Sequence, residues 1–269
     1  MNPPIPDYWP QFEAYHRVRE PVYHTIIANA ELPGNALILD AACGDAFYSR
    51  LLSRILGKTA RILALDIDPV LLQLHRDDNA AVHLCIGDVE QAGLARQTFD
   101  AIWLHRAMHS TRDPLHRLST LARLLRRGGK LIVIENDLAH YPILSWPVEF
   151  EQDFRQALYQ LFKSRCDGKA PVARYYAARH LPDWLLQIGM RQIHAHTYVV
   201  EDIAPMPPDI ETYWRLYMTD LCNAIKPYLD TEVWQTYAHA FDPQSPYYLL
   251  NQPGFYALEL ISVVCGIAP

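Results

Sequence analysis

Residues 37–49 read LILDAACGDAFYS, and the fold turns on them. An apolar run ends on Asp40, a short loop carries Cys43 and Gly44, and a helical pattern begins near Asp45. Glycine in such a loop lets a ligand's polar groups approach backbone N–H groups closely. A tight strand-to-helix turn with no ligand would give the same local pattern. Outward from this stretch, between about residues 34 and 137, short β-rich runs alternate with amphipathic helical patterns. The runs are ALILDAA (36–42), RILALDI (61–67), AVHLCIG (81–87), FDAIWLH (99–105) and GKLIVIEND (129–137). Helices are expected between them near 46–56, 69–76 and 113–127. Strands buried on both faces read as continuous apolar runs, and helical crossovers between them imply a parallel, doubly wound sheet.

The second half is richer in proline and aromatic residues. VEFEQDFRQALYQLFKS (148–164) has helical periodicity, and YAARHLPDWLLQIGMRQI (176–193) reads as a helix running through Gly189 into a strand, RQIHAHTYVVE (191–201). After the boundary APMPPD (204–209), ETYWRLYMTDLCNAIKPYL (211–229) and EVWQTYAHAF (232–241) are helical, and FYALELISVVCGI (255–267) is a closing strand. No internal repeat interrupts this order.

Composition limits the partners. Hydrophobic residues are 50% and charged residues 20% of the 269, as in a compact globule rather than a disordered chain. The net charge of -6 disfavours a nucleic-acid backbone as partner, since phosphate binding needs a basic face. Cys43, Cys85, Cys166, Cys222 and Cys265 are scattered, without disulfide or metal-ligand spacing, so reduced thiols, a cytoplasmic location and no metal are expected. No signal peptide and no run of about 20 apolar residues is present, which argues against a membrane.

Two further motifs fall in register with the loop. In LALDIDP (63–69), Asp66 ends the second strand, where a carboxylate can accept both hydroxyls of a ribose. Asp68, directly before Pro69, better suits a helix cap. In CIGDVEQ (85–91), Asp88 can accept from an adenine amino group while Val89 offers its backbone N–H; a plain turn aspartate after Gly87 is the alternative.

The ordered set DAACG, ALDID, GD, FDAIWLHRAMHSTRDP and LLRRGGKLIVIE resembles class I S-adenosylmethionine-dependent methyltransferases over roughly residues 34–137, and the resemblance returns at LPDWLLQIGMRQI. It implies an α/β fold: a seven-stranded, mostly parallel doubly wound sheet whose last strand is antiparallel, with a mainly helical lid. A single domain would have its core in 31–138, 174–203 and 254–269, and its lid or substrate cap in 1–30, 139–173 and 204–253. By the same resemblance Asp40, Ala42, Cys43 and Gly44 line the methionine end of S-adenosyl-L-methionine. Asp66 holds its ribose, Ile67 packs on the adenine, Asp88 and Val89 meet the adenine edge, and His105 and Arg106 lie along the other side. The family usually has glycine at the positions of Ala42 and Ala46.

A nicotinamide cofactor would need a GxGxxG loop for its diphosphate, and DAACGDA lacks one, while Asp45 would repel the phosphates. A cationic sulfonium without phosphate suits this loop better. Methyl transfer is an in-line displacement, so the protein chiefly positions and desolvates the reactants, with a base where the acceptor loses a proton. His109, His105 and His140 are the candidates for that base, since histidine has the appropriate intrinsic pKa. Tyr15, Tyr141, Tyr213, Trp214 and Tyr217 are candidates for an aromatic substrate pocket made by helices 8–30, 148–164 and 211–229, although aromatic stripes at helical spacing also build cores. No Asn/Asp-Pro-Pro-Tyr motif follows the fourth strand, which argues against methylation of base or glutamine amines; WLHRAM resembles small-molecule enzymes of quinone-like and natural-product pathways. The expected activity is methylation of O, N or C on a small aromatic or apolar metabolite. The alternative keeps the cofactor for a cyclisation or rearrangement, or for no catalysis. The aromatic additions could also pack across a two-fold axis in a homodimer.

Overall fold

The computed structural model describes residues 6–74, 80–136, 143, 145–166 and 171–269. Seven strands form one sheet: β1 (Leu37–Ala41), β2 (Arg61–Asp66), β3 (Val82–Ile86), β4 (Phe99–His105), β5 (Leu125–Asn136), β6 (Arg191–Ile203) and β7 (Tyr256–Ile267). Their order is β3-β2-β1-β4-β5-β7-β6. β7 runs antiparallel to both β5 and β6, and the other pairings are parallel. The chain therefore reverses direction across the sheet at β1, leaving a crevice beyond the carboxyl ends of β1 and β4, where ligands of open α/β sheets bind.

The helices are α1 (Trp9–Asn29), α2 (Phe47–Leu56), α3 (Leu71–Leu74), α4 (Pro114–Ala122), α5 (Val148–Ser164), α6 (Ala177–Gln187), α7 (Pro208–Ile225) and α8 (Thr231–Tyr237). Successive strand residues point to opposite faces, which sorts the apolar runs into two cores. Ile38, Trp103, Ile132 and Ile134 pack with α1, α2, α5 and α7 on one side. Leu39, Ile102, Leu104, Leu131 and Val133 pack with Leu118 and Leu121 of α4 and with Leu181 and Leu185 of α6 on the other. α1 lies against α2 and α7, and α7 against α5, so α1, α5 and α7, from outside the alternating region, share one face of the sheet, while α6 lies on the other. No helix among the described residues is long and apolar enough to cross a membrane, and all five cysteines are free thiols.

Two boundaries differ from expectation. The helix expected over 113–127 stops at Ala122, and β5 begins at Leu125, ahead of the apolar run. Gly128, at φ +75°, and Gly129 make this possible, because a Cβ on Gly129 would lie 2.9 Å from the Arg126 carbonyl and 3.1 Å from that of Phe99. The helix expected to run through Gly189 ends at Gln187; Gly189 at φ +86° turns the chain into β6. Of the helix expected over 69–76, Leu71–Leu74 is helical and the remainder runs into residues outside the described set.

Candidate functional site

At the end of β1 the backbone passes through the left-handed region three times, at Ala42 (φ 57°), Gly44 (φ 58°) and Ala46 (φ 61°). The two alanines adopt the conformation that glycine holds most easily, at a cost of roughly 1–2 kcal/mol each. Surrounding bonds hold the loop in this shape. Asp66 at the end of β2 accepts the Gly44 N–H at 2.7 Å through Oδ2 and the Asp68 N–H at 2.8 Å through Oδ1. Asp68 in turn accepts the Val70 N–H at 2.8 Å, the capping role read from its place before Pro69. Asp45 accepts the Phe47 N–H at 3.1 Å at the start of α2. Asp40, 1% exposed, accepts the Ser49 hydroxyl at 2.5 Å.

A cleft of about 670 Å³ opens on this loop. Asp40, Ala42, Cys43, Gly44, Asp66, Ile67 and Asp68 line one end of it, under Phe12 and His16 of α1. His16 stacks on Phe47 at 4.3 Å, which closes α1 down onto the loop. Ile67 turns 66% of its surface to solvent, leaving an apolar face free for a flat ring. Burial and then the carboxylates of Asp40, Asp66 and Asp45 push the Cys43 thiol upward, so three acids converge on one short loop. A diphosphate does not fit among them, and the Gly44 N–H is already engaged by Asp66. A cation with a ribose and no phosphate does fit. Tyr48 Oη and Asn136 Oδ1, on residues that line the cleft, are buried with no hydrogen-bond partner among the described residues, as polar atoms awaiting a ligand or water would be.

Burial raises the Asp40 carboxyl to about 7, against the pull of its Ser49 bond, with Asp66 and Asp45 adding to the rise. The folded protein thus keeps a proton there that the unfolded chain loses near pH 4, so this group subtracts stability as pH rises from about 4 to about 7. Asp40→Asn should remove that loss: its stability relative to wild type should improve between pH 5 and pH 8 in denaturant melts. A constant difference would show that Asp40 is ionised throughout.

The far end of the cleft is built from α1, the residues after β4, and α5 to α7. His105, at the end of β4, is buried, and its Nε2 lies 2.6 Å from the Tyr23 hydroxyl. The hydroxyls of Tyr23 and Tyr15 are 3.0 Å apart, and Tyr15 donates to Glu259 Oε1 at 2.9 Å. Arg19 joins Glu259 at 2.7 Å to Asp202 at 2.5 Å, and the Trp214 indole donates to Asp202 at 2.8 Å. Donor accounting orders the chain. Tyr15 spends its one proton on Glu259, so Tyr23 must donate to Tyr15, and His105 must donate to Tyr23 through Nε2–H. The unprotonated nitrogen of His105 is then Nδ1, which has no protein partner among the described residues, on a side chain that lines the cleft. Burial, followed by Arg106 and His16, keeps His105 neutral by lowering its pKa well below the usual value.

Arg106, at φ 48°, carries its guanidinium 4.7 Å above the Tyr15 ring. His109 lies in the turn Met108–Ser110 and stacks 6.4 Å from Tyr175. Its depth in the molecule and then the guanidiniums of Arg106, Arg174, Arg117 and Arg165 hold it down to about 4. Glu135, beside the same turn, accepts the Met108 N–H at 2.8 Å, and burial raises it to about 7.

The structure thus gathers Asp40, Ala42, Cys43, Gly44, Asp66, Ile67, His105, Arg106, His109, Tyr15, Tyr213 and Tyr217 around one cleft. Three expected residues stand apart from its lining. Asp88 forms a turn, accepting the Glu90 N–H at 2.9 Å, and the Val89 side chain is buried in the core beyond it. Trp214, 2% exposed, is held behind the wall by Asp202 and Phe255 rather than facing the cleft. His140 and Tyr141 lie outside the described residues. The sequence reading missed Tyr23, Arg19, Glu259 and Asp202, as well as Glu135, Arg165 and Arg174. The lone acid in FYALELISVVCGI was the available signal for Glu259, because a charge inside an apolar strand needs a buried partner.

Residues 39–133 match the family model described as a methyltransferase domain. The 2-phytyl-1,4-naphtoquinone methyltransferase of Thermosynechococcus vestitus is 29% identical over 158 residues, 58% of this chain and 64% of that protein. The chain spans less than two thirds of the length of the curated relatives it matches first. Among solved structures, a putative methyltransferase from Bacillus halodurans superimposes with a TM-score of 0.58 at 18% identity, covering 92% of this chain and 98% of that one. The cyclase SpnF does so with a TM-score of 0.52 at 14% identity, covering 93% and 80%.

Proposed function

We propose that this chain, which belongs to the class I S-adenosylmethionine-dependent methyltransferases, uses its cleft to move a methyl group onto a small molecule. The observation that carries this reading is the acid-ringed loop Asp40–Ala46, with Asp66 and the open face of Ile67 beside it. Asp40, Ala42, Cys43 and Gly44 would surround the methionine end, Asp66 the ribose, and Ile67 the adenine. Asp88 and Val89 would come into play only at the rim. When bound, S-adenosylmethionine supplies an electrophilic methyl on a sulfonium that leaves as neutral S-adenosylhomocysteine.

The protein's part is to position the acceptor and take its proton. His105 is the base this geometry favours, because its free Nδ1 belongs to a side chain in the cleft wall. A proton arriving at Nδ1 can be matched by the Nε2–H moving toward Tyr23, and onward through Tyr15 to Glu259. His109, held neutral as His105 is, has no hydrogen-bonded chain among the described residues to carry a proton away, and it serves better as a wall on Tyr175. The helices of 1–30, 139–173 and 204–253 act as a substrate cap over the core formed by 31–138, 174–203 and 254–269. Tyr15, Tyr213 and Tyr217 give that cap an aromatic face, which suits the class of substrate in the relative's name, a naphthoquinone with a phytyl chain. We read the enzyme as cytoplasmic and acting on a free metabolite.

A fold shared with a cyclase makes methyl transfer, rather than cofactor binding, the deciding readout. Protein incubated with methyl-labelled S-adenosylmethionine and a panel of hydroquinones and phenols should release S-adenosylhomocysteine in step with labelled product. Turnover of an acceptor without the label would sink the reading. With an acceptor found, Tyr23→Phe should lower kcat about 10- to 100-fold, less than the roughly 100- to 10,000-fold of general-base catalysis because His105 itself remains, with little change in cofactor affinity. Nitrogen NMR on His105 should show the proton on Nε2. An unchanged kcat in Tyr23→Phe would remove the relay.

A further inference from the structure

Charge is segregated along the cleft. Asp40, Asp66 and Asp68 stand at the loop end, and Arg106, Arg165 and Arg174 line the opposite end. In a chain of 30 acidic and 24 basic residues, arginines that are partly or wholly buried ought to find carboxylates, and elsewhere they do. Arg19 pairs with Asp202 and Glu259, Arg50 with Asp45, and Arg117 with Glu90.

Arg174 is half-buried and, among the described residues, does not. Its Nη1 donates to the Thr111 carbonyl at 3.0 Å, and its Nη2 to the Arg165 carbonyl at 3.0 Å and the Tyr175 hydroxyl at 3.2 Å. These partners are neutral, and Nε has none among the described residues. The guanidinium lies 5.0 Å over the Tyr175 ring, which itself stacks on Phe162 at 4.5 Å and 5°. Neutral carbonyls therefore lock the group in place without cancelling its charge. Arg165, the residue after α5, stands next to it and has no carboxylate partner among the described residues either. Arg165 is exposed and screened by water, but the half-buried charge of Arg174 is left without a counter-ion among the described residues, and an anion in the cleft both arginines line would supply one. A guanidinium fixed by its neighbours, with a second positive charge beside it, also suits recognition of an oxyanion.

We propose that the acceptor molecule carries an oxyanion, a carboxylate or a phosphate, which docks against Arg165 and Arg174 while its apolar body lies along Phe162, Tyr175 and Tyr217. This deepens the methyltransferase reading and rests on it for the word acceptor, but the anion site itself does not. It adds a polar anchor to the aromatic and apolar pocket expected from sequence.

The test uses benzoate and phenyl phosphate as anionic probes and benzamide as the neutral one, titrated by ligand-observed NMR into protein saturated with S-adenosylhomocysteine. At least one anion should bind, and benzamide should be at least 10-fold weaker. Which anion binds better separates a carboxylate from a phosphate. Arg165→Gln, whose side chain makes no bond within the described fold, should weaken the anion about 10-fold and leave S-adenosylhomocysteine unchanged. Arg174→Lys, which keeps the charge but loses the fork, should weaken it too. Equal binding of benzamide, or unaltered anion affinity in both variants, overturns the proposal. So does a 10-fold loss of S-adenosylhomocysteine in Arg165→Gln, because the arginines would then serve the cofactor's own carboxylate. Should S-adenosylhomocysteine fail to bind the wild type while an anion does, the methyltransferase reading falls and the anion site stands.

Discussion

Asp66→Ala should abolish most of the affinity for S-adenosylhomocysteine, by about 100-fold, which is roughly 2.7 kcal/mol. Two losses combine. The carboxylate holds the Gly44 and Asp68 N–H groups at 2.7 and 2.8 Å, so removing it frees the left-handed loop and strips two backbone donors of their acceptor. It also removes the group placed to receive ribose hydroxyls. Asp66→Asn separates the two contributions, since its single oxygen can keep one of the backbone bonds while the charge is lost. Asn should therefore fall between wild type and Ala. Calorimetric titration of the three proteins, with circular dichroism to confirm that the fold persists, checks the order. Equal affinity in all three would mean that the ligand does not use the end of β2.

The second large effect concerns stability. Arg19 is 1% exposed and pairs with both Asp202 and Glu259, which are also buried. Arg19→Met fills much of the same volume but leaves two carboxylates without a counter-charge. Breaking a buried pair by removing one partner costs about 3–5 kcal/mol. For a chain of this size that corresponds to a fall in Tm of about 10 °C. Because Glu259 also anchors Tyr15 and Asn136, the relay to His105 should loosen with it. Thermal melts of Arg19→Met at pH 7 measure the first effect. A loss under 1 kcal/mol would show that water or rearrangement compensates the acids.

Much of the sheet is legible in sequence because its signals are local. LILDAACGDAFYS alone specifies a buried strand, a tight turn and a helix, and the central strands announce themselves as uninterrupted apolar runs. Errors fall where a boundary depends on a distant partner. Residues 123–127 have helical character, yet Leu125 pairs with Phe99, and Gly128–Gly129 allow β5 to start early. The cleft's loop end was readable for the same reason as the strand: Asp40, Gly44 and Asp66 lie in short motifs. The relay was not, since Tyr15 and Glu259 are 244 residues apart and meet only when α1 settles over β7. Arg165 and Arg174 look like ordinary surface residues in sequence. Only the fold shows that the nearest partners of Arg174 are carbonyls rather than carboxylates. Trp214 misled for the opposite reason, as its place in an aromatic stripe says nothing about which side of the wall the ring occupies.

The central claim is that the acid-ringed cleft binds S-adenosylmethionine, and titration of the wild-type protein with S-adenosylhomocysteine tests it most directly. One site per chain with a micromolar Kd is the expected result, and NADH should give no heat under the same conditions. Absence of binding at millimolar S-adenosylhomocysteine would contradict it, and would mean that a loop with alanine at positions 42 and 46 has kept the fold and lost the cofactor.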